Sequence, residues 1–171
     1  MPHGGAHEDM AYREGVVTQV EVVATESPWI VSRSVIVDVP ADRVFDILAD
    51  PRQHARFDGS GSVRGSVSGP ERLSLGSSFR MDMRLGVPYR VSSTVMEFDE
   101  GRRIAWAHLG GHRWRYELEP LEGGRTRVTE TFDGTYARSA RALRLIDAYR
   151  RNARGIEETL PRLKAYAEGE T

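Results

Sequence analysis

Residues 32–57 read SRSVIVDVPADRVFDILADPRQHARF and hold the clearest structural pattern in the chain. From Val35 to Val39 a valine recurs at every second position within a run of β-branched residues, which predicts a strand with one buried face. Pro40 follows immediately and suits the entry of a helix, and Pro51 limits that helix and opens a second helical turn. The stretch therefore predicts a strand followed by two short helices.

The composition limits the classes of protein to consider. The chain has 171 residues, which is long enough for one well-buried domain and short for two. Its 24 basic and 25 acidic residues nearly balance, so no field of the whole molecule attracts nucleic acid or an anionic membrane. Cysteine is absent, which excludes disulfides and thiolate catalysis. No stretch approaches the roughly 20 apolar residues of a membrane-spanning helix. We expect a cytoplasmic protein without integral membrane association.

The chain is expected to divide into an extension and one domain. Residues 1–28 form the N-terminal extension, whose first fifteen residues are rich in glycine and histidine and typical of a flexible tail. The segment Val16 to Val23 is apolar enough for an extra edge strand. Residues 29–169 are then expected to form a single domain.

The middle of the chain predicts an antiparallel meander. Between Ser77 and Asp133, strands alternate with short turns that contain glycine. Phe79, Met81 and Met83 alternate with charged residues, so their strand has one apolar face and one solvated face. The strand from Tyr89 to Phe98 has apolar residues at both parities, and its inward face is left unassigned.

The turn from Leu109 to Gly111 is expected to contain three residues, because that length places the large side chains of both flanking strands on one face. It pairs Trp106 with Trp114 and leaves the last glycine left-handed. A two-residue turn would place Trp106 opposite Arg115, on the wrong face. We therefore predict that both tryptophans face the final helix and that Arg113 and Arg115 face water.

The same parity rule applies to the turn at residues 122–124. A three-residue turn there pairs Trp114 with Phe132 and Tyr116 with Glu130. Glu130 then becomes the carboxylate that this register directs inward. The predicted apolar face has an aromatic row formed by Trp106, Trp114 and Phe132. Beside it lies a mixed row formed by Ile104, Tyr116 and Glu130. The two histidines, His108 and His112, lie toward the rim.

The chain is predicted to end in a helix from about Ser139 to Ala167, in which Gly155 and Pro161 are expected to cause a bend. A single apolar stripe runs along it, formed by Ala142, Ile146, Tyr149, Ala153, Ile156, Leu160, Leu163 and Ala167. Its arginines alternate with acids four residues apart, as in Asp147 with Arg151, Arg154 with Glu158, and Glu158 with Arg162. This pattern favours a solvated face over a nucleic-acid surface.

Three stretches of the chain resemble the polyketide cyclase/dehydrase and lipid-transport superfamily, which is related to START domains and birch-pollen allergens. They are SRSVIVDVPADRVFDILADP, RRIAWAHLGGHRWRYELEPLEGGRTRVTETFDG and RNARGIEETLPRLKAYAEG, and they span most of Ser32 to Gly169. The resemblance implies an α+β helix-grip fold. In that fold a curved antiparallel sheet of about seven strands wraps around a long C-terminal helix, two short helices follow the first strand, and a cavity remains between sheet and helix.

The inward-facing residues of this implied cavity are the candidate ligand contacts. They are Phe79, Met81, Met83, Trp106, His108, His112, Trp114, Tyr116, Glu130, Phe132 and Tyr149. Glu130 and Tyr116 either satisfy each other by a hydrogen bond or act as an acid–base pair, because an apolar pocket raises the pKa of a carboxyl group. No catalytic residue is assigned. His108 and His112 lack an evident third ligand for zinc, so we expect neither a metal nor a cofactor.

Three functions remain open for such a fold, because members of the superfamily differ in activity. The first is a carrier or sensor that binds a small hydrophobic or aromatic molecule. The second is an aromatase/cyclase or dehydratase that uses Glu130, Tyr116 or a histidine. The third is a protein-interaction role like that of the chaperone co-factors in the superfamily. A hydrolase is unsupported, since nothing in the sequence resembles a nucleophile elbow. No nucleic-acid partner is expected, and a homodimer is left open.

Overall fold

The strands of the protein form one antiparallel sheet in the computed structural model, which describes residues 18–108 and 110–170. In chain order they are β1 Glu21–Val22, β2 Ile30–Val37, β3 Val63–Ser68, β4 Ser78–Leu85, β5 Val87–Asp99, β6 Arg103–Ala107, β7 Arg113–Leu121 and β8 Arg125–Asp133. Across the sheet the order is β1-β2-β8-β7-β6-β5-β4-β3. Strands β4 to β8 form the meander predicted between Ser77 and Asp133, β3 extends it by pairing with β4, and β2 pairs with β8 at the other side.

The helices occupy two places in the chain. Helix α1 (Ala41–Ala49), a 3-10 turn (Pro51–Gln53) and α2 (His54–Phe57) follow β2, as predicted, and α3 (Ala140–Leu145) and α4 (Ala148–Glu168) follow β8. This is the predicted α+β helix-grip fold, with a curved sheet of seven strands and a long C-terminal helix. The two-residue β1 is an additional edge strand within the predicted segment Val16 to Val23, whose first two residues lie outside the described part of the chain, as does the predicted tail.

The first helices form as their prolines indicate. Pro40 occupies the N-cap of α1, and the helix directs an apolar face into the core. Its carboxyl end leads to Asp50, whose side chain accepts a hydrogen bond from the Arg52 backbone N–H at 3.0 Å and so caps the next turn. Pro51 sits at the start of that turn, where its missing N–H is not needed.

Helix α4 closes the concave face of the sheet and packs mainly on β2. Ile156, Leu160, Leu163 and Ala167 on its inner face are fully buried. They meet Val35 and Val37 of β2 and the buried face of α1 in one core. Burying aliphatic side chains of this size stabilises a fold by about 1.5–3 kcal/mol each, so this half of the helix is anchored firmly.

The predicted register of the last three strands is confirmed. Trp106 lies opposite Trp114, and Gly111 has φ 88° in the preceding turn. Trp114 lies opposite Phe132, and Tyr116 lies opposite Glu130. The alternation of side chains therefore places the aromatic row and the mixed row together on the concave face.

Arg113 and Arg115 lie on the other face, but they are not simply solvated. Glu97 of β5 accepts a hydrogen bond from Arg113 at 2.8 Å and from Arg115 at 2.7 Å. The two arginine side chains retain only 18% of their exposure. These ion pairs lower the pKa of Glu97, with the Arg115 hydrogen bond as the largest cause. The prediction that both arginines face water is wrong in this respect.

A bulge explains why β5 has apolar residues at both parities. Val95 lies opposite Trp106, whereas Glu97 lies opposite Ala105, so Met96 is an extra residue without a partner. An extra residue of this kind reverses which side chains point inward. Before the bulge the inward residues are the odd-numbered ones and include Val95, and after it Phe98 points inward and packs on α1.

One continuous helix from about Ser139 was predicted, but the structure breaks it at Ile146 and Asp147. Asp147 adopts the left-handed conformation with φ 55°, which ends α3 and starts α4. Aspartate tolerates this conformation better than most residues, so the break is confined to one residue and its cost in conformational free energy is small. Gly155 and Pro161 both lie inside α4 and end no helix. Consequently Ile146, predicted in the buried stripe, is 60% exposed.

The break also changes the charge pairs predicted along this helix. Asp147 binds Arg150 at 2.8 Å, three residues on, rather than Arg151. Arg162 donates to the Asp58 carbonyl oxygen at 3.0 Å rather than to Glu158. The arginines near the start of α4 are therefore less compensated by acids than the spacing in the sequence indicates.

Candidate ligand-binding cavity

A cavity of about 880 Å³ lies between the concave face of the sheet, the loop after α2 and the junction of α3 with α4. Its volume falls in the range of small-molecule sites in proteins. The sheet supplies the floor, the loop from Asp58 to Val63 forms one wall, and the first turns of α4 form the opposite wall.

Most of the predicted contact residues line this cavity, namely Met81, Met83, Trp106, His108, His112, Trp114, Tyr116, Glu130 and Phe132. Phe79 does not, because it lies under Trp106 in an edge-to-face contact of 5.8 Å and is 1% exposed. Tyr149 does not either, because its ring packs between Trp29 and Phe132 and its hydroxyl donates to the Ala140 carbonyl oxygen at 3.3 Å. Both residues support the lining from behind.

The floor of the cavity is aromatic. Trp114 and Phe132 pack edge to face with their centroids 5.0 Å apart. Trp106 lies beside them and stacks on the imidazole of His54 at 5.0 Å. Aromatic rings in these arrangements prefer flat, polarizable partners, so the floor suits a flat ligand.

His54 is a lining residue that the sequence did not single out. It begins α2 and is buried, and its Nε2 lies 2.8 Å from the Leu48 carbonyl oxygen. Since a carbonyl only accepts, Nε2 carries the proton. Burial lowers the pKa of His54, so the ring is neutral. In the sequence His54 is a single histidine in a short helix. Its stacking on Trp106, 52 residues later in the chain, cannot be predicted from that.

Glu130 and Tyr116 form the polar part of the floor, and both are buried. Burial is the main cause that raises the pKa of Glu130 to about 8; a hydrogen bond from Tyr116 lowers it and the charge of Asp58 raises it further. Burial, with the adjacent Glu130, also raises the pKa of Tyr116 well above its usual value. Near neutral pH both groups are therefore largely protonated and uncharged. The Oε2 atom of Glu130 has no hydrogen-bond partner among the described residues.

The loop that carries Asp58 is held against α4. The Asp58 carboxylate accepts hydrogen bonds from the Ser60 backbone N–H and from the Val63 backbone N–H, each at 3.2 Å. The Gly59 N–H donates to Thr159 Oγ1 at 2.9 Å. A Cβ at Gly59 would collide with the α4 backbone, so only glycine permits this approach. This wall therefore has a fixed position.

His108 and His112 form a second polar group at the other end of the aromatic row. Their ring centroids are 5.3 Å apart, and His108 Nδ1 lies 2.8 Å from Ser93 Oγ. Burial, and then the neighbouring His112, lower the pKa of His108 to about 4. Burial also lowers the pKa of His112, whose Nδ1 is buried without a partner among the described residues. Across residues 18–108 and 110–170, no cluster of three or more His, Cys, Asp or Glu side chains is placed to hold a metal ion.

A curved sheet that holds an aromatic cavity against a long C-terminal helix defines a helix-grip protein with an internal cavity. The chain belongs to the polyketide cyclase / dehydrase and lipid transport family, whose model matches residues 28–168. None of the helices in the described ranges has the length and apolar character to span a bilayer.

Similar proteins extend this finding at the level of family and fold. The uncharacterized protein Rv0088 of Mycobacterium tuberculosis is 44% identical over 153 residues, which cover 86% of this chain and 68% of that protein. A crystal structure from Rhodobacter sphaeroides matches with TM-score 0.67 and 15% identity, over 90% of this chain and 100% of that one. The Zhui aromatase/cyclase of Streptomyces sp. R1128 matches with TM-score 0.62 and 22% identity, over 81% and 93%. The solved structures show a shared fold.

Proposed function

We propose that the protein binds a small, mainly apolar molecule of lipid-like or polyketide-like chemistry and acts as its carrier or sensor. The observation that carries this proposal is the cavity of about 880 Å³ over a floor made by Trp106, Trp114 and Phe132. A cavity of this size with an aromatic floor favours a flat ligand, which gains free energy by burying its apolar surface against that floor.

The polar groups at the two ends of the floor narrow the ligand class. His112 and Tyr116 lie four residues apart, which is about 13 Å along an extended chain. Glu130, beside Tyr116, offers a hydrogen bond from its protonated carboxyl group, and His112 Nδ1 offers one hydrogen bond at the other end. Because both groups are uncharged, the ligand is expected to be neutral, with a flat body and an oxygen-bearing group near each end.

A cyclase or dehydratase is the second candidate, and one observation favours it. The pKa of Glu130 is about 8, close to the pH at which a general acid or base works best, and its Oε2 has no hydrogen-bond partner within residues 18–108 and 110–170. Buried carboxyl groups are also found in purely structural roles, and the hydrogen bond with Tyr116 gives Glu130 a partner of the kind that such a role requires. We therefore place binding first.

The proposal is tested by ligand capture and by filling the cavity. Native mass spectrometry of the protein from its own host should detect a bound small molecule, and titration with flat neutral polyketides, flavonoids, sterols and fatty acids should quench tryptophan fluorescence. Val91→Phe adds volume inside the cavity and should weaken binding by about tenfold or more. Val22→Phe makes the same change on the exposed edge strand and should leave binding unaltered. Equal affinity for both variants, or no ligand in any assay, would refute the proposal.

The cytoplasmic location, the homodimer and the single domain over residues 29–169 stay predictions. Fractionation, light scattering and limited proteolysis of the full chain test them in turn.

A further inference from the structure

The junction between α3 and α4 exposes two large aliphatic side chains. Leu145 is 88% exposed and Ile146 is 60% exposed. They are the last residue of α3 and the first residue after it, and we call this pair the apolar tip. Helix α3 contains no fully buried residue, and its Leu143 is partly buried against the core. Single exposed aliphatic side chains are common on protein surfaces, but two adjacent ones at a helix end indicate an interaction site.

Arginines flank the apolar tip on both sides in the sequence. Between Gly134 and Ile156 the sequence contains six arginines and a single acid, Asp147. The arginines, here called the arginine collar, are Arg138, Arg141, Arg144, Arg150, Arg151 and Arg154, and all are exposed. Asp147 pairs with Arg150 at 2.8 Å, and so compensates one of them. With six arginines and one acid, this stretch carries a formal charge of +5, whereas that of the whole chain is −1.

The tip also lies at the cavity. Leu143, Ile146, Asp147 and Ala148 all line it, together with Arg150, Arg151 and Arg154 of the collar. A partner bound at the tip would therefore lie beside the cavity.

We propose that the apolar tip and the arginine collar form a docking surface for an anionic lipid membrane. Aliphatic side chains insert between lipid tails while arginines bind the phosphates, and binding strength grows with both contributions. The tip and the collar together comprise eight residues, fewer than the roughly 20–30 that each partner of a specific protein complex contributes, which disfavours a protein partner. Docking here would let a water-insoluble ligand pass between bilayer and cavity without crossing water.

The full-length protein should co-sediment with vesicles of phosphatidylcholine mixed with phosphatidylglycerol, and much less with phosphatidylcholine alone. Binding should fall as salt is raised, because screening weakens the arginine contacts. The double variant Leu145→Gln/Ile146→Gln should lower the partition coefficient by about tenfold or more, since it removes the apolar insertion without adding charge. Arg141→Gln/Arg144→Gln should lower it by about tenfold on the anionic vesicles.

Leu75→Gln is the matched control, because Leu75 is 67% exposed in the turn before β4 and does not line the cavity. It should bind vesicles like the wild type. The proposal is overturned if the wild type ignores anionic vesicles, or if the tip variant and the Leu75 variant bind equally well. It is also overturned if the wild type forms a dimer that the tip variant abolishes, since the tip would then be a protein interface. Ligand binding by the wild type, measured without vesicles, tests the proposed function separately, because Ile146 itself lines the cavity and its replacement can alter ligand binding directly.

Discussion

Glu130 and Tyr116 face each other across β7 and β8, and each is at most 4% exposed. A carboxyl group in this position is largely protonated near neutral pH, because burial raises its pKa to about 8. The pair is thus an uncharged hydrogen-bonding unit set into an apolar floor. Its chemistry decides between the two candidate functions.

Glu130→Gln separates a carrier from an enzyme. Glutamine keeps the shape and the capacity to donate a hydrogen bond but removes the titratable proton. A carrier should retain its ligand within about tenfold, since one neutral hydrogen bond contributes about 1 kcal/mol. An enzyme that uses Glu130 as acid or base should keep its affinity and lose about a hundredfold or more in turnover. Calorimetry and a cyclisation assay measure both, with the exposed Glu119→Gln as control. We expect the carrier outcome.

The raised pKa of Glu130 predicts how stability depends on pH. The folded state holds this proton up to a pKa of about 8, whereas the usual value for the free side chain is 4.5. The folded state therefore binds more protons than the unfolded state between these values, and the free energy of unfolding falls as pH rises through that window. The lowered pKa of His108, about 4 against 6.5, has the opposite effect below pH 6.5 only. Between about pH 6.5 and 8 the Glu130 effect should therefore remain visible.

Urea denaturation should show a loss of about 2 kcal/mol between pH 6.5 and 8 in the wild type. In Glu130→Gln this decline should be absent, because the substitution removes the group responsible. A wild-type curve that is flat or rises over this range would show that Glu130 is ionised in the folded protein.

Gly111 should be the least replaceable glycine of the two turns that set the register. Its φ is 88°, and a Cβ there would lie 2.6 Å from the Tyr136 carbonyl oxygen. Gly124 has φ 71° but open space around it. Gly124→Ala should cost about 1 kcal/mol from backbone strain alone, and Gly111→Ala about 2–4 kcal/mol in the free energy of unfolding. Equal losses in thermal or urea denaturation would contradict the close contact.

His54→Phe should destabilise the protein although it keeps an aromatic ring beside Trp106. The change removes the donor that the Leu48 carbonyl oxygen meets at 2.8 Å, and that oxygen would then be buried without this bond. We expect a loss of about 1–3 kcal/mol in the free energy of unfolding. An unchanged stability of His54→Phe would mean that water or a shifted side chain replaces the bond.

The register of β6, β7 and β8 is predictable from the sequence because two glycine-bearing turns leave only one parity that brings all the large side chains together. That parity also places Glu130 inside, where the structure has it. The bulge at Met96 is not predictable in this way, since it depends on how β5 pairs with its neighbour. Likewise Asp147 fits a helical pattern, and only its backbone conformation shows the break.

The loop from Asp58 to Val63 escapes sequence reasoning for a similar reason. Its position depends on the contact of Gly59 with Thr159, one hundred residues later in the chain. Periodicity describes each segment alone, so contacts between distant segments are what it leaves out.

The bulge in β5 makes one strand serve two separate parts of the molecule. Before Met96 the strand lines the cavity with Tyr89 and Val91, and after it Phe98 packs edge to face on Phe45 of α1, 5.4 Å away in the closed core. Substitutions in the first half can reshape the cavity without disturbing the packing that holds α1. Related proteins can therefore differ in the shape of this cavity while they retain the packing of α1 on the sheet.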